Sequence, residues 1–461
     1  MISFIRKVMV VGLFEDDNNY IIDFEKGSNC LFGDNGTGKT TLINLIVAGL
    51  ETDLLVLMGV NFEYLSITIS NDSGVDSDIS ISKVLKDLPD NDEGNLFDEE
   101  VRTIVYEVDK VETSFDYDLD NIEYYAGKMS RGRKFNSLRS KLRGLINLTH
   151  VPLLRMRTSP PSIDMYEHEF AMNDGEDFSS MDHSTSVLFE IERQFKLLAD
   201  DYRVEDTKKL ESFKSKIIQK FLIDKESLDG LNSLNIKSER FSNEESYNEE
   251  LLDKLESAGL SVPKSKLESN FKLLSELGDK SRELYELRES LKESGASIDI
   301  IAEADMDLSN SVVDVLVSRA LFQRFTSVII DVENLQADRN HLWDLFGDYE
   351  NIVNKFLNNK FFKLERNGEF KIFSGIRPVK LKDLSSGEKH ILAILGRAAL
   401  SKDKGSVFIA DEPELSLHLS WQRMMLPSIL ELSPKSQIIV ATHSPAIIPK
   451  NSNKIDLGAC N

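Results

Sequence analysis

The sequence predicts an α/β fold: a head built on a mixed sheet flanked by helices, with an antiparallel β lobe and an inserted helical domain. Three observations lead to this prediction. A glycine-rich loop, residues 33–41, follows a short apolar segment and precedes a helical pattern. A second apolar segment, residues 407–410, ends in two acidic residues. Between them, from Val187 onward, Leu, Glu and Lys recur at near-helical spacing.

The glycine-rich loop reads LFGDNGTGKTTL over residues 31–42 and matches the pattern G-x-x-x-x-G-K-[ST]. In such a loop, backbone N–H groups and the N-terminus of the following helix form a concave site for phosphate groups. Lys39 is expected to reach the β- and γ-phosphates, and Thr40 to offer its hydroxyl to Mg²⁺. The alternative is a chance lysine in a glycine-rich turn, which the flanking strand and helix patterns disfavour. The residues predicted to bind nucleotide here are Gly33, Asn35, Gly36, Thr37, Gly38, Lys39, Thr40 and Thr41.

Near the other end of the chain, the segment VFIADEPELSLHLSWQ, residues 407–422, combines a buried-strand pattern with acidic residues. Asp411 at the end of this strand can hold Mg²⁺ through water, and Glu412 can polarise the water that attacks a γ-phosphate. The alternative is an acidic pair without a catalytic role in a strand-end loop. Two further motifs weigh against that alternative: LSSGEKHILAIL, residues 384–395, precedes the strand, and IIVATHSP, residues 438–445, follows it.

The order of these four motifs resembles that of ABC-type ATPases, which present Walker A, signature, Walker B and switch-histidine motifs in this sequence. The resemblance implies ATP and Mg²⁺ as cofactors, and it implies that residues 414–418 form the D-loop along a subunit interface. The implied catalytic residues are Lys39, Glu412 and His443, and the implied metal ligands are Thr40 and Asp411. The implied signature contacts to a nucleotide held by another subunit are Ser385, Ser386, Gly387 and Glu388.

The signature differs from the usual LSGGQ or LSGGE at its third position, Ser386. It is therefore more similar to the OLD-like and RecF-like branch, where LSSGE is usual. In OLD-like ATPases arginines that follow the corresponding strand lie near the nucleotide, which implies that place for Arg155 and Arg157. No Q-loop glutamine is identified. Because the signature acts on the nucleotide of another subunit, the resemblance implies a homo-oligomer built from dimeric ATP sandwiches.

The region between the two halves of the site predicts two kinds of structure. Within residues 59–125, some segments alternate between apolar and polar residues and others are rich in β-branched and aromatic residues. This pattern favours an antiparallel β lobe. The helical pattern that follows contains only a short heptad seam, so a compact helical bundle is favoured over a long coiled coil. Two polar segments, 88–95 and 230–250, are predicted to be loops or connecting segments. The predicted domains are an N-terminal head part, a helical insert and a C-terminal head part, at residues 1–157, 158–365 and 366–461.

Charge is distributed unevenly along the chain. The net charge is −23, which argues against a surface that binds nucleic acid everywhere. Residues 124–163 nevertheless contain no acidic residue, and apolar residues there share one helical face. This basic stretch either pairs with the acidic segment 87–123 or docks an anion, DNA or an acidic protein, and both interpretations stay open. The candidate docking residues are Lys128, Arg131, Arg133, Lys134, Arg139, Lys141 and Arg143.

The composition also predicts a compartment. The two cysteines, Cys30 and Cys460, form no disulfide framework, which favours a reducing environment. The N-terminal segment lacks a cleavage site and turns acidic at once, unlike a signal peptide. No segment approaches the ~20 apolar residues of a membrane span. A cytoplasmic protein without a membrane domain is expected.

The C-terminal end bears on the choice of function. OLD-family nucleases carry a TOPRIM nuclease domain after the ATPase, but only 18 residues follow His443. No HNH-like or DxxK-like constellation is present either. If this protein acts in a complex that cuts nucleic acid, a separate subunit is therefore expected to do the cutting.

These features together resemble the ATPase subunits of two-component bacterial antiphage systems, most closely the AriA family of PARIS systems. The PtuA family of Septu systems, partnered with an HNH nuclease, is the next most similar. The resemblance implies a homo-oligomer, with a hexamer as the expected form, that holds a TOPRIM nuclease of the AriB type inactive until a viral DNA-mimic protein is sensed. Two alternatives stay open, a RecF-like DNA-repair ATPase and the ATPase of a transporter.

Overall fold

The computed structural model describes residues 3–14, 19–34, 36–86, 101–151, 182–221, 264–402 and 407–459. Contacts divide the chain into two compact units, residues 1–198 with 345–461 (unit 1) and residues 199–344 (unit 2). Unit 2 is shorter at both ends than the predicted insert, 158–365. The helix at its N-terminal end, His183–Phe221, begins in unit 1, and the helix that follows its C-terminal end, Asp344–Phe356, lies almost wholly in unit 1. The predicted head-and-insert boundaries themselves stay a prediction.

Unit 1 contains all the described strands and most of the shorter helices. The strands are β1 (Ser3–Val11), β2 (Tyr20–Asp23), β3 (Ser28–Phe32), β4 (Tyr64–Asn71), β5 (Asp76–Lys86), β6 (Val101–Val108), β7 (Val111–Tyr117), β8 (Leu148–Val151), β9 (Phe361–Leu364), β10 (Phe370–Ser374), β11 (Arg377–Val379), β12 (Val407–Asp411), β13 (Gln437–Ala441) and β14 (Asn453–Asp456). The α-helices in the described parts of the two units are α1 (Lys39–Glu51), α2 (Leu54–Gly59), α3 (Ile122–Met129), α4 (Arg133–Leu145), α5 (His183–Phe221), α6 (Lys264–Glu293), α7 (Ile298–Leu342), α8 (Asp344–Phe356), α9 (Ser386–Leu400) and α10 (Leu419–Leu432).

The central sheet has five strands in the order β14-β3-β13-β12-β8, and each neighbouring pair is parallel. All five residues of β12 and of β13 are buried, as expected for apolar strands covered on both faces. Because the strands are parallel, the carboxyl ends of β3, β13 and β12 lie at one edge of the sheet. The three motifs that follow these strands are therefore neighbours in space.

A second sheet has six strands in the order β2-β1-β4-β5-β6-β7, and its pairs are antiparallel. Helix α1 lies close to its inner face at Gly49, where a Cβ would stand 3.0 Å from Ile81 and 3.1 Å from Leu65. Gln437 joins the two sheets, since its side chain donates to the Ile5 carbonyl (2.7 Å) and accepts from the Ile5 amide (2.9 Å). The predicted α/β class with an antiparallel β lobe is confirmed, and the described pairs of the central sheet are all parallel.

A three-stranded sheet, β11-β10-β9, supports the helix that carries the signature. Its inner residues join an aromatic cluster in which Tyr349 stacks on Phe195 with ring centroids 5.0 Å apart. The buried Tyr349 hydroxyl donates to the Leu392 carbonyl of α9 at 2.9 Å. Helix α9 thus packs against an apolar core on the side that faces Tyr349.

Unit 2 consists of long helices in its described part, which confirms the helical pattern predicted from Val187 onward. Helices α6 and α7 pair side by side, and Arg288 of α6 bonds Asp305 of α7 at 2.6 Å. With 45 residues, α7 is about 68 Å long at 1.5 Å per residue. In the described part of unit 2 these two helices form a long hairpin, whereas a compact bundle was predicted, and α7 also contacts α5, where Arg339 bonds Asp206 at 2.5 Å. The predicted connecting segments 88–95 and 230–250 lie outside the described residues.

Among the described residues, none of the helices combines the length and the apolar character needed to cross a membrane.

Candidate nucleotide-binding site

The glycine-rich loop connects the end of β3 with the start of α1, as the sequence predicts. Lys39 is the first residue of α1, and its Nζ donates to the carbonyls of Gly33 (2.9 Å) and Asp34 (2.8 Å). Gly38 has φ 84°, and a Cβ at this position would meet the Phe14 ring at 2.8 Å. Both its left-handed backbone and this close approach therefore require glycine. The predicted contact residue Asn35 lies outside the described residues.

The Lys39 ammonium group lies in an acidic surrounding. The side chain is only 5% exposed. Burial lowers the pKa of Lys39, while the nearby carboxylates of Glu412, Asp34 and Asp411 act in the opposite direction. The ammonium group is therefore placed in the loop itself, among the backbone groups expected to surround phosphate.

The predicted metal ligands Thr40 and Asp411 meet at the sheet edge, where the Thr40 hydroxyl bonds the Asp411 carboxylate. Asp411 is 4% exposed, and its Oδ1 has no hydrogen-bond partner among the described residues. Burial raises the pKa of Asp411 to about 6, and the neighbouring charges of Glu412 and Glu414 add to the effect. A buried carboxylate oxygen without a donor suits a cation.

These residues fit Mg²⁺ bound together with a nucleotide. Mg²⁺ prefers oxygen ligands, and in phosphate sites it takes one or two protein ligands while phosphates and waters complete its shell. The Thr40 hydroxyl and the Asp411 carboxylate provide such oxygens. No group of three or more His, Cys, Asp or Glu placed to hold a metal occurs in the described part of the chain.

Two of the three predicted catalytic residues, Glu412 and His443, lie beside each other. The Nε2 of His443 is 3.7 Å from the Oε1 of Glu412, and both side chains are partly exposed, 37% and 27%. Glu412 follows β12 directly, and its amide donates to the Ala441 carbonyl at the end of β13 (2.8 Å). Its φ of 43° turns the chain away from the strand direction at this point. The sheet edge thus gathers Lys39, Asp411, Glu412 and His443.

Glu414 was predicted only as the first residue of the D-loop, and the structure gives it a further place. Its Oε1 accepts from the Thr442 hydroxyl (2.6 Å), the His443 amide (2.9 Å) and the Ser444 amide (3.1 Å). The side chain is buried, at 8% exposure. No spacing rule predicts from the sequence that Glu414 contacts Thr442, which lies 28 residues further along the chain. The carboxylate so close after Asp411 and Glu412 is the signal that could have drawn attention to it.

The signature residues begin helix α9. The Ser385 side chain accepts from the Glu388 amide (3.3 Å), and the Glu388 carboxylate accepts from the Ser385 amide (2.8 Å), which forms a capping box. Lys360 also bonds Glu388, at 2.7 and 2.8 Å. Burial opposes the charge of Glu388, but the bonds from Lys360 and Ser385 outweigh it and lower the pKa of this carboxyl. Within the chain, the described contacts of Glu388 thus hold the helix start together.

The start of α9 also packs against the D-loop of the same chain. A Cβ at Gly387 would lie 2.9 Å from the Ser416 carbonyl oxygen, so the close approach depends on glycine. His390 hydrogen-bonds the Leu415 backbone. In the described structure no hydrogen bond or ion pair joins Ser385 or Ser386 to the glycine-rich loop. Within the described chain, the start of the signature helix is therefore not joined to the glycine-rich loop by a hydrogen bond or an ion pair.

The basic stretch lies on α3 and α4. The predicted apolar face of α4 is confirmed, since Phe135, Leu138 and Leu142 are buried. Lys141 donates to the Val108 carbonyl (2.7 Å) and lies 3.6 Å from Asp109, so it belongs to an internal contact. The other six candidates are exposed and form no ion pair with a described residue: Lys128, Arg131, Arg133, Lys134, Arg139 and Arg143. Residues 87–100 of the acidic segment 87–123, together with Arg155 and Arg157, lie outside the described residues.

Comparison with known proteins identifies one family. A family model described as an AAA ATPase domain matches residues 16–448. None of the curated proteins matches the sequence. One similar solved structure is the Smc head domain with an extended coiled coil bound to the C-terminal domain of ScpA from Pyrococcus furiosus: 13% identity, 96% of this chain and 91% of that chain, TM-score 0.39. Another is the Smc head domain with a coiled coil and joint from Pyrococcus yayanosii: 15% identity, 96% and 93% coverage, TM-score 0.37.

Proposed function

Since the chain belongs to the AAA ATPase domain family, we propose that it binds ATP with Mg²⁺ and hydrolyses it to ADP and phosphate. The observation that carries this proposal is the sheet edge at which Lys39, Asp411, Glu412 and His443 converge. A phosphate loop, a buried carboxylate suited to a cation and a carboxylate–histidine pair are the parts that phosphoryl transfer to water requires. The direct test is release of phosphate from ATP by the purified chain, with and without Mg²⁺.

The proposed roles follow from the positions of the side chains. Lys39 and the loop amides bind the β- and γ-phosphates, while Thr40 and Asp411 hold the metal. When bound, Mg²⁺ neutralises charge on the phosphate oxygens. Glu412 orients and polarises the attacking water, and its partial exposure leaves room for that water. His443 lies beside Glu412, with its Nε2 3.7 Å from the Glu412 Oε1, and its imidazole can donate to the γ-phosphate.

The signature supports a site completed by a second copy of the chain. Ser385, Ser386 and Gly387 form the N-terminus of α9, where free amides and the helix dipole attract anions. The described chain makes no bond between these residues and its own phosphate loop, so we propose that they engage the nucleotide of a partner chain. We therefore propose a homodimer with ATP between its subunits, as a unit of a larger oligomer.

A mixing experiment tests the shared site. Lys39→Ala inactivates the phosphate loop of a chain but leaves its signature intact, and Ser386→Arg does the reverse. Each variant alone is expected to be inactive. A mixture should recover about a quarter of the wild-type rate, since half of the dimers are mixed and each contains one complete site. Two inactive variants that stay inactive when mixed, although each still self-associates, would contradict the trans arrangement.

On the biological role, we propose that this ATPase is the sensor and scaffold subunit of an antiphage system and controls a separate nuclease of TOPRIM type. The motif order with LSSGE supports this role, as does the resemblance to the AriA family. The test is to identify the neighbouring genes and to co-express the chain with any nuclease that one of them encodes. A stable complex of the two proteins is expected, and a viral protein should release the nuclease from it. An adjacent gene for an HNH nuclease would instead favour a Septu-type partner. Hydrolysis that duplex DNA stimulates, without such a complex, would favour a RecF-like repair ATPase.

The exposed bases of α3 and α4 support an acidic protein as the trigger. Arg133 and Lys134 occupy the first turn of α4, where the helix dipole disfavours positive charge and no acidic residue compensates it. An anionic partner would neutralise both. Reversing Arg131, Arg133 and Arg139 to Glu should therefore abolish trigger binding, while ATP hydrolysis stays at its wild-type rate and the melting temperature does not fall. A drop in melting temperature would instead favour pairing with the acidic segment, and normal binding of the trigger would contradict the docking surface.

A further inference from the structure

We propose that Glu414 is a positioning residue that holds the switch loop, residues 442–444, so that the His443 imidazole faces Glu412. The inference rests on the proposed ATPase function and adds one residue to its machinery. Its basis is the single oxygen Oε1, which accepts hydrogen bonds from the Thr442 hydroxyl (2.6 Å), the His443 amide (2.9 Å) and the Ser444 amide (3.1 Å). Three donors from consecutive residues fix the course of the loop at one point.

The burial of Glu414 argues for a specific role. The side chain is 8% exposed, and its second oxygen, Oε2, has no hydrogen-bond partner among the described residues. A buried carboxylate is unfavourable unless it is well bonded, and here only one of its oxygens is. Bonds to a charged acceptor are shorter and stronger than neutral ones. The carboxylate therefore strengthens the hold on the switch loop at the expense of its own solvation.

The hold matters because little else fixes His443. Its side chain is 37% exposed, and its described polar contact is the 3.7 Å approach to Glu412. The direction of the imidazole therefore depends on the backbone of the loop. A second anchor lies one residue on, where the Ser444 hydroxyl donates to Gln422 of α10 at 2.7 Å. Glu414 and Gln422 thus bind the switch loop at adjacent residues, His443 and Ser444.

The turn that carries Glu414 is itself fixed by the signature helix. The Ser416 carbonyl lies against Gly387, and His390 bonds the Leu415 backbone. Glu414 lies between these contacts and the switch loop. The side chain therefore connects the start of α9 with the switch histidine of the same chain.

The test uses kcat and KM for ATP in four single variants, one of them a control, and one double variant. Glu414→Ala should lower kcat at least about 10-fold and leave KM within about 3-fold, since the phosphate loop is untouched. Glu414→Gln should recover most of kcat, because its amide oxygen can accept from the same three donors. Glu414→Ala combined with His443→Ala should be no slower than His443→Ala alone, because Glu414 acts through the histidine. Glu431→Ala removes an exposed carboxylate paired with Lys355 and serves as the matched control.

The outcomes separate the inference from the function on which it rests. If the wild-type chain releases no phosphate from ATP, the proposed function fails. If it is active but the losses of Glu414→Ala and His443→Ala multiply, or the loss appears in KM, the positioning role is overturned. Should Glu414→Ala not fold, Thr442→Val and Thr442→Ser decide the question. The valine variant lacks one of the three donors and should lose kcat, whereas the serine variant keeps it; equal rates would overturn the inference.

Discussion

The Nε2 of His443 lies 3.7 Å from the Oε1 of Glu412, although 31 residues of chain separate them. The contact follows from one strand pair. Asp411 and Ala441 are partners in the parallel pairing of β12 with β13, and the Glu412 amide continues the ladder by donating to the Ala441 carbonyl (2.8 Å). The register of two buried strands therefore sets the distance between the two groups proposed to act on the γ-phosphate and its attacking water.

Replacing Lys39 with alanine should reduce ATP affinity at least about 100-fold, because it removes the ammonium group that lies inside the phosphate loop. Lys26→Ala, which removes an exposed lysine paired with Asp72, should bind ATP normally. Titration calorimetry with both variants measures the effect. Wild-type affinity in a folded Lys39→Ala variant would place the nucleotide elsewhere.

Glu412→Gln should bind ATP with near wild-type affinity but hydrolyse it about 100- to 1000-fold more slowly. Glutamine keeps the shape and can still hydrogen-bond, but it cannot accept the proton of the attacking water. ATP-bound dimers should therefore accumulate, and analytical ultracentrifugation with and without ATP can detect them. The matched control is Glu431→Gln. Turnover of Glu412→Gln at the wild-type rate would assign the base to another residue.

Asp411→Asn should abolish Mg²⁺-dependent hydrolysis and, in the absence of nucleotide and Mg²⁺, stabilise the protein at neutral pH. Burial raises the pKa of Asp411 from 3.8 to about 6. Between these values the folded state keeps a proton that the unfolded chain has released, so wild-type stability falls as pH rises through this window. The variant should exceed the wild type by about 1–3 kcal/mol in free energy of unfolding at pH 7.5, and the difference should vanish near pH 4. Urea denaturation at several pH values measures it, and a difference independent of pH would contradict the buried charge.

His390 should contribute the opposite pH dependence in the same range. Burial lowers the pKa of His390 from 6.5 to about 4, and its bond to the Leu415 backbone offsets this only in part. Below pH 6.5 the unfolded chain binds a proton that the folded state does not, so stability falls as pH drops toward 4. His390→Asn should flatten this loss, which the same urea series can show. An unchanged slope between pH 6.5 and 4 would mean that His390 is hydrated in solution.

Much of the local structure could be predicted from the sequence, because neighbouring residues decide it. The apolar segments 28–32 and 407–410 predicted buried strands, and the pattern after Lys39 predicted a helix; the structure confirms all three. The spacing of Phe135, Leu138 and Leu142 predicted one buried face of α4. These predictions hold since hydrophobic periodicity and glycine positions act over a few residues.

Other features could not be predicted, because they depend on contacts between distant parts of the chain. Helix lengths in unit 2 and the bounds of the two units follow from which helices pair, and the local pattern does not state this. The bond network of Glu414 depends on a loop 28 residues away. The capping box of Ser385 and Glu388 could be read from spacing, but the ion pair of Glu388 with Lys360 could not.

By itself the sequence determined the parts of this protein: a phosphate loop with Lys39, a strand ending in Asp411 and Glu412, and a strand followed by His443. Only the tertiary structure decided that these parts form one site, through the strand order β3-β13-β12. The physical reason is that each motif is specified by local backbone preferences and burial, whereas strand order is chosen by packing of the whole unit. Parallel pairing then carries the ends of all three strands to one edge, where the Lys39 ammonium group, the Asp411 and Glu412 carboxylates and the His443 imidazole lie close together.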